Sequence, residues 1–137
     1  MNFHPSEIPE MINRFAIASD DADHGALGNL LASDAVLHMP GATGSLGPGA
    51  AAITEFIRKK RDERIARGES GRHLVANVVT HPAEDGSVMA RSYVLFAVTH
   101  SDRSVRLGGV AQYEDHWIRL DDSWRLASRS VTLDHPA

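Results

Sequence analysis

The stretch Arg72-His73-Leu74-Val75-Ala76-Asn77-Val78-Val79-Thr80-His81 decides the fold, because its side chains alternate between two faces as in a half-buried β-strand. Three more runs rich in β-branched or aromatic residues follow at 87–100, 104–120 and 123–133. Only short polar links separate the runs, which is typical of hairpins in an antiparallel meander. Gly108-Gly109 inside the third run predicts a bulge or sharp bend that lets the sheet curve.

The chain before this stretch has helical periodicity instead. Apolar residues at helical spacing predict one helix from Ser6 to about Asp20 and a shorter one from Asp23 to Ala32. We predict a short strand over 35–39, a loop over the glycine- and proline-rich 40–49, and a third helix over 50–66. Helices followed by strands predict an α+β fold, a curved antiparallel sheet wrapped by amino-terminal helices around a pocket.

Composition limits the kinds of protein this can be. A chain of 137 residues with 42% hydrophobic residues suits one domain, 1–137, with a single core. Cysteine is absent from the sequence, which excludes disulfides, thiolate metal sites and thiol nucleophiles. The formal net charge of −4, without a dominant basic field, argues against a nucleic-acid partner.

Charge and hydropathy patterns also bear on location. The segment Met1-Asn2-Phe3-His4-Pro5 has no basic stretch leading into an apolar run, and the sequence has no membrane-length apolar segment. We therefore expect a cytoplasmic protein with no membrane partner.

The basic run 58–61 is followed by Asp62 and Glu63, so we expect a solvated helix face. The residues expected to face water are Arg58, Lys59, Arg61, Glu63 and Arg64, opposite a buried face of Ile53, Phe56, Ile57 and Ile65.

Two parts of the sequence carry candidate chemistry. Strand alternation places His73 and Asn77 on one face, where they would present an imidazole and an amide among apolar neighbours, as in small-ligand pockets. A hydrogen-bonded structural histidine is the alternative. Asp20, Asp21 and Asp23 cluster where the first helix ends, close to the unfavourable negative end of its dipole. One of these carboxylates is therefore expected to bind another group, and the others to cap the second helix or face water.

Other features of the sequence are less informative. The glycine-rich loop lacks the lysine and hydroxyl of a P-loop and the full dinucleotide fingerprint. The eight histidines show no metalloprotease spacing, so we expect no metal site. Tyr93 and Tyr113 lie on strands and are candidates for the core, for the pocket wall or for hydrogen bonds to a ligand.

Several strings, in this order, carry a resemblance to a known family. The strings are Phe15-Ala16-Ile17-Ala18-Ser19-Asp20 leading to Leu27, Gly49 to Phe56, Arg72 to Asn77, Gln112-Tyr113-Glu114-Asp115 through Arg119, Trp124-Arg125, and Arg129-Ser130-Val131. Together they resemble the SnoaL-like branch of the nuclear-transport-factor-like superfamily, which includes scytalone dehydratase and related polyketide cyclases, dehydratases and dehydrochlorinases. This superfamily also hosts binding modules and assembly subunits, so the fold does not fix the function.

The resemblance implies a cone-shaped domain with a deep apolar pocket, commonly in homodimers or homotrimers. Lyases of this kind use a histidine base paired with an aspartate from the end of the first helix, and His73 and Asp20 match those positions. Asn77 matches a frequent pocket asparagine. Many relatives carry a tyrosine about where this chain has Phe15, so either Tyr93 or Tyr113 supplies the hydroxyl or the reaction differs.

The leading hypothesis is a cofactor-free lyase or isomerase, dehydratase-like, that acts on a small apolar cyclic or polyketide-like substrate. His73 would remove a proton and Asp20 would hold its ring. The alternatives are a non-catalytic small-molecule-binding module, an assembly subunit that packs against a larger chain, and an epoxide hydrolase. The last would need groups that activate water, for which Asp20, Asp115, Arg129 and Asn77 are candidates.

Overall fold

A computed structural model describes residues 4–134, and Met1, Asn2 and Phe3 of the amino-terminal segment lie outside this range. Its three α-helices are α1 (Ile8–Asp21), α2 (His24–Leu30) and α3 (Ala50–Ala66). Its six strands are β1 (Leu31–His38), β2 (Ser45–Leu46), β3 (Glu69–Pro82), β4 (Val88–His100), β5 (Val105–Leu120) and β6 (Ser123–Leu133). The α+β class and all four predicted long strands are confirmed.

The strands form one sheet in the order β2-β1-β6-β5-β4-β3. Consecutive long strands pair antiparallel as hairpins, as predicted. One pairing departs from the antiparallel pattern, since β1 pairs parallel with β6. Helix α3 lies in the chain between β1 and the meander, and a long connection of this kind is what a parallel pairing requires.

The first strand is longer than predicted and displaces the end of the preceding helix. Helix α2 stops at Leu30, and β1 begins at Leu31, which pairs with Leu126 and is almost completely buried. In the predicted loop 40–49, β2 adds a two-residue edge strand. Gly47 in this loop has a φ of 101°, and a Cβ there would lie 2.5 Å from the Ala35 carbonyl oxygen, so the close approach to β1 requires glycine.

The predicted bulge in β5 is present. Phe96 pairs with Gly109 and Ala97 with Leu107, which leaves Gly108 as the extra residue. A Cβ on Gly108 would lie 2.9 Å from the Phe96 ring, so the absence of a side chain at this position leaves room for that ring. The bulge bends the sheet around the space where the pocket lies.

The helices cover one face of the sheet, and the main core lies between the helices and that face. Its fully buried members include Ile8 and Ile12 of α1, Leu27 of α2, Ile53 of α3, and Trp117 of β5. The expectation that Ile65 is buried was wrong, because it lies near the end of α3 and is 53% exposed. None of the helices in the described part of the chain is both long enough and apolar enough to span a membrane.

Candidate active site

A cavity of about 630 Å³ opens between the helices and the inner face of the sheet. Its wall is mostly apolar, with Phe15 from α1, Phe56 from α3, and Val94 and Phe96 from β4. His73 reaches this wall from β3. A mostly apolar cavity with a few convergent polar groups is the usual form of a small-molecule site.

The structure brings the two predicted catalytic residues into contact. His73 Nδ1 lies 2.6 Å from Asp20 Oδ1, and the His73 backbone N–H donates to Asp20 Oδ2 at 3.1 Å. The two residues are 53 positions apart in the chain. The end of α1 and the middle of β3 meet here, so the fold itself holds the carboxylate against both the ring and the backbone.

The contact orients the imidazole. An ionised carboxylate only accepts hydrogen bonds, so Nδ1–H is the donor and the neutral ring has its lone pair on Nε2. Nε2 makes no hydrogen bond to any residue between 4 and 134. Asp20 itself is not part of the cavity wall and lies behind the ring. This arrangement suits a base at the pocket surface with an orienting acid behind it.

The other two acids of the cluster, Asp21 and Asp23, were expected to cap the second helix or to face water, and they do so. Asp23 caps α2 and accepts a hydrogen bond from the Ala26 backbone N–H at 3.1 Å. Asp21 is exposed. The carbonyl of Asp20 accepts from Arg61 Nε at 3.1 Å, which satisfies one of the free carbonyls at the end of α1.

A buried ion pair holds Arg129 at the pocket wall, with its partner Asp115 behind it, and the sequence analysis had not paired these two residues. Arg129 donates from Nε to Asp115 Oδ1 at 2.7 Å and from Nη2 to Asp115 Oδ2 at 2.9 Å. The side chains are 5% and 0% exposed, and Trp117 Nε1 also donates to Asp115. The signal in the sequence is strand register, since the β5–β6 hairpin places the two residues directly opposite each other on the inward face.

Arg129 connects this pair to two aromatic rings of the pocket wall. Its guanidinium carbon lies 4.0 Å from the centroid of the Tyr113 ring and 4.8 Å from that of Phe15. Burial alone would lower the pKa of Arg129, but the charge and hydrogen bonds of Asp115 outweigh it and raise that pKa. Burial raises the pKa of Tyr113, which keeps its hydroxyl protonated and able to donate. Phe15 and Tyr113 therefore both lie at the pocket wall.

Asn77 and Tyr93 are placed elsewhere, which corrects their prediction as substrate-binding residues. A bulge in β3 between Ala76 and Val79 breaks the alternation that had put Asn77 on the face of His73. Asn77 has a φ of 58° and is exposed. On β4 the even-numbered residues lie on the inner face of the sheet, where Val94 and Phe96 line the pocket. Tyr93 therefore lies on the opposite face and is 50% exposed.

Helix α3 also differs from expectation. Arg58 pairs with Glu55 and Asp62 on the water-facing side, as predicted. Lys60 and Arg64 instead line the pocket. Phe56, Lys60 and Arg64 are four residues apart and so share one face of the helix, which is the face directed at the cavity. The prediction that Arg64 faces water was therefore wrong.

No group of three histidine, aspartate or glutamate side chains within residues 4–134 is arranged to hold a metal ion.

The model of the SnoaL-like domain family matches residues 5–130. No curated protein gives a significant match.

Solved structures share the fold at low sequence identity. ActVI-ORFA from Streptomyces coelicolor is 24% identical, with 95% of this chain and 96% of that chain covered and a TM-score of 0.83. Aln2 from another Streptomyces species is 22% identical over 94% and 89%, with a TM-score of 0.83. An NTF2-like protein with a cystatin-like fold from Novosphingobium aromaticivorans is 22% identical over 96% and 82%, with a TM-score of 0.81.

Proposed function

This chain belongs to the SnoaL-like domain family, and from that premise we propose that it is a cofactor-free lyase or isomerase of the dehydratase type. Its substrate is a small, largely apolar cyclic or polyketide-like molecule held in the cavity of about 630 Å³. The observation that carries the proposal is the 2.6 Å contact between His73 Nδ1 and Asp20 Oδ1 at the wall of that cavity.

In the proposed reaction His73 Nε2 removes a proton from a carbon next to a carbonyl group of the substrate. The electron pair of the broken C–H bond moves to form an enolate, and Asp20 stabilises the imidazolium ion. The imidazolium then returns the proton, either to a departing hydroxyl group, which leaves as water, or to a different carbon. The first outcome is a dehydration and the second an isomerisation.

Tyr113 is the proposed donor to the enolate oxygen. It lines the pocket, and its raised pKa keeps the phenol protonated at neutral pH. In this proposal the Tyr113 hydroxyl substitutes for the hydroxyl that Phe15 lacks. Phe15 instead packs beside Arg129 at the pocket wall.

Substituting Asp20→Asn tests the dyad. The amide can present an N–H to Nδ1, which would favour the tautomer with its proton on Nε2 and so remove the base from the pocket. We expect proton exchange of a small cyclic ketone such as 2-tetralone in deuterium oxide, followed by NMR, to slow by about 100-fold or more. Asp23→Asn is the matched control, because asparagine caps a helix as well as aspartate does. Equal rates for the two variants would contradict the dyad.

We also propose that the chain forms a homodimer or homotrimer through the outer face of its sheet. Leu74, Leu95 and Val110 lie opposite one another on β3, β4 and β5, and Tyr93 lies beside this row. All four side chains are between 38% and 54% exposed. A row of large apolar side chains on an uncovered sheet face is typical of an association surface.

Leu95→Glu is expected to convert the oligomer to a monomer, because a charge would be buried at the centre of this face. Light scattering during size-exclusion chromatography measures the mass directly. Ile17→Glu is the matched control, since Ile17 is 63% exposed on α1, away from the sheet. A wild-type protein that is already monomeric at micromolar concentration would disprove the proposal.

A further inference from the structure

The charged side chains that line the pocket are all of one sign. Lys60 and Arg64 of α3 and Arg129 of β6 line it, and no aspartate or glutamate does. The whole chain, by contrast, has a formal net charge of −4. Positive charge is therefore concentrated at the cavity, against the overall balance of the protein.

These three cations are not equally neutralised by their surroundings. Arg129 is paired with Asp115 through two hydrogen bonds, and Lys60 Nζ lies 3.6 Å from Glu63. Within residues 4–134 no carboxylate lies within 4.0 Å of the Arg64 guanidinium. Arg64 lies over the Phe96 ring instead, 5.0 Å from its centroid. It is the cation of the pocket wall that has no anionic partner in the described part of the chain.

The surroundings of Arg64 make an external anion favourable there. Burial lowers the pKa of Arg64 and outweighs the nearby charges of Asp20 and Glu69, which raise it. The site therefore disfavours the charge of a guanidinium that nevertheless stays protonated in proteins. An unpaired charge that is partly removed from water gains more from an anion than a fully solvated one does. Lys60 is one helical turn away on the same face of α3 and adds to the attraction.

Resting on the function proposed above, we propose that the substrate is a cyclic carboxylic acid whose carboxylate binds Arg64, with Lys60 beside it. The planar guanidinium matches a carboxylate through two parallel hydrogen bonds. Phe96 contacts both Arg64 and His73, and its centroid lies 4.5 Å from that of the imidazole. The carboxylate thus anchors one end of the molecule, and the ring lies against Phe96 with its reacting carbon near His73.

The test compares two probes of the same shape, 2-naphthoate and 2-naphthamide, by isothermal titration calorimetry. The wild-type protein is expected to bind the carboxylate about tenfold or more tightly than the amide, the size of one good charge-assisted interaction. Arg64→Gln should reduce this preference to about twofold or less, whereas Arg64→Lys should keep part of it. Arg58→Gln is the matched control on the solvent side of the same helix and should keep all of it.

Equal binding of the two probes, binding of neither, or an unchanged preference in Arg64→Gln would each overturn the inference. The result is independent of catalysis, because His73→Gln is expected to keep the preference for 2-naphthoate. A preserved preference without any proton exchange activity would refute the proposed reaction and leave the carboxylate site standing. Proton exchange activity without a preference for 2-naphthoate would refute the carboxylate site and leave the proposed reaction standing.

Discussion

His73→Gln is expected to slow carbon–proton exchange by about 10²–10⁴-fold, the range that a positioned acid/base group contributes. Glutamine keeps a polar side chain of similar length but has no basic nitrogen. Affinity for a bound ligand should change little, because the apolar wall supplies most of the contact and the other polar groups of the pocket remain. NMR exchange rates and calorimetric dissociation constants for the same ligand measure the two quantities separately.

His81→Gln is the control for this experiment, since His81 is an exposed histidine on the same strand. It should match the wild type in both measurements. If His73→Gln loses affinity and rate to the same extent, His73 only binds the ligand and the general-base role is wrong. A ligand that binds to the wild-type protein and undergoes no exchange would favour the non-catalytic binding module.

Local periodicity predicted most of the fold because the long elements obey it. The alternation in β3 to β6 and the helical spacing in α1 and α3 are strong signals, and the glycines of β5 marked the bulge. The start of β1 was missed because Leu31 and Ala32 continue the apolar pattern of α2. The strand begins there because Leu31 pairs with Leu126, a residue far along the chain that local periodicity does not reveal.

The position of a candidate-site residue was predictable where independent signals in the sequence agreed. It was not predictable where they disagreed. Resemblance and the unfavourable dipole at the end of α1 both indicated Asp20, and the contact with His73 is present. The prediction for Asn77 was wrong because a single bulge inverts every later side chain of a strand, and residues 76–79 contain no glycine to mark this bulge. Arg64 was missed because a cation at a helix surface looks the same in sequence whether it faces water or a cavity.

The buried pair of Arg129 and Asp115 leads to the largest expected effect on stability. Arg129→Met should lower the free energy of unfolding by about 3–5 kcal/mol, because Asp115 is completely buried and would lose its partner. Tyr113 and Phe15 would also lose the guanidinium that packs on their rings. Urea denaturation followed by circular dichroism measures the change. Arg14→Met is the control, since Arg14 forms an exposed pair with Glu10 and its loss should have no measurable effect.

A second variant separates the cost of an unpaired charge from the cost of lost packing. Adding Asp115→Leu to Arg129→Met removes the stranded carboxylate, so the double variant should be more stable than Arg129→Met alone. Trp117 Nε1 loses its acceptor in the double variant, and recovery should therefore be incomplete. A double variant less stable than the single one would mean that packing around Arg129, and not the charge of Asp115, dominates this side of the pocket. In that case the pair would act mainly as a rigid wall, and its contribution would come from the contacts of the guanidinium with the two rings.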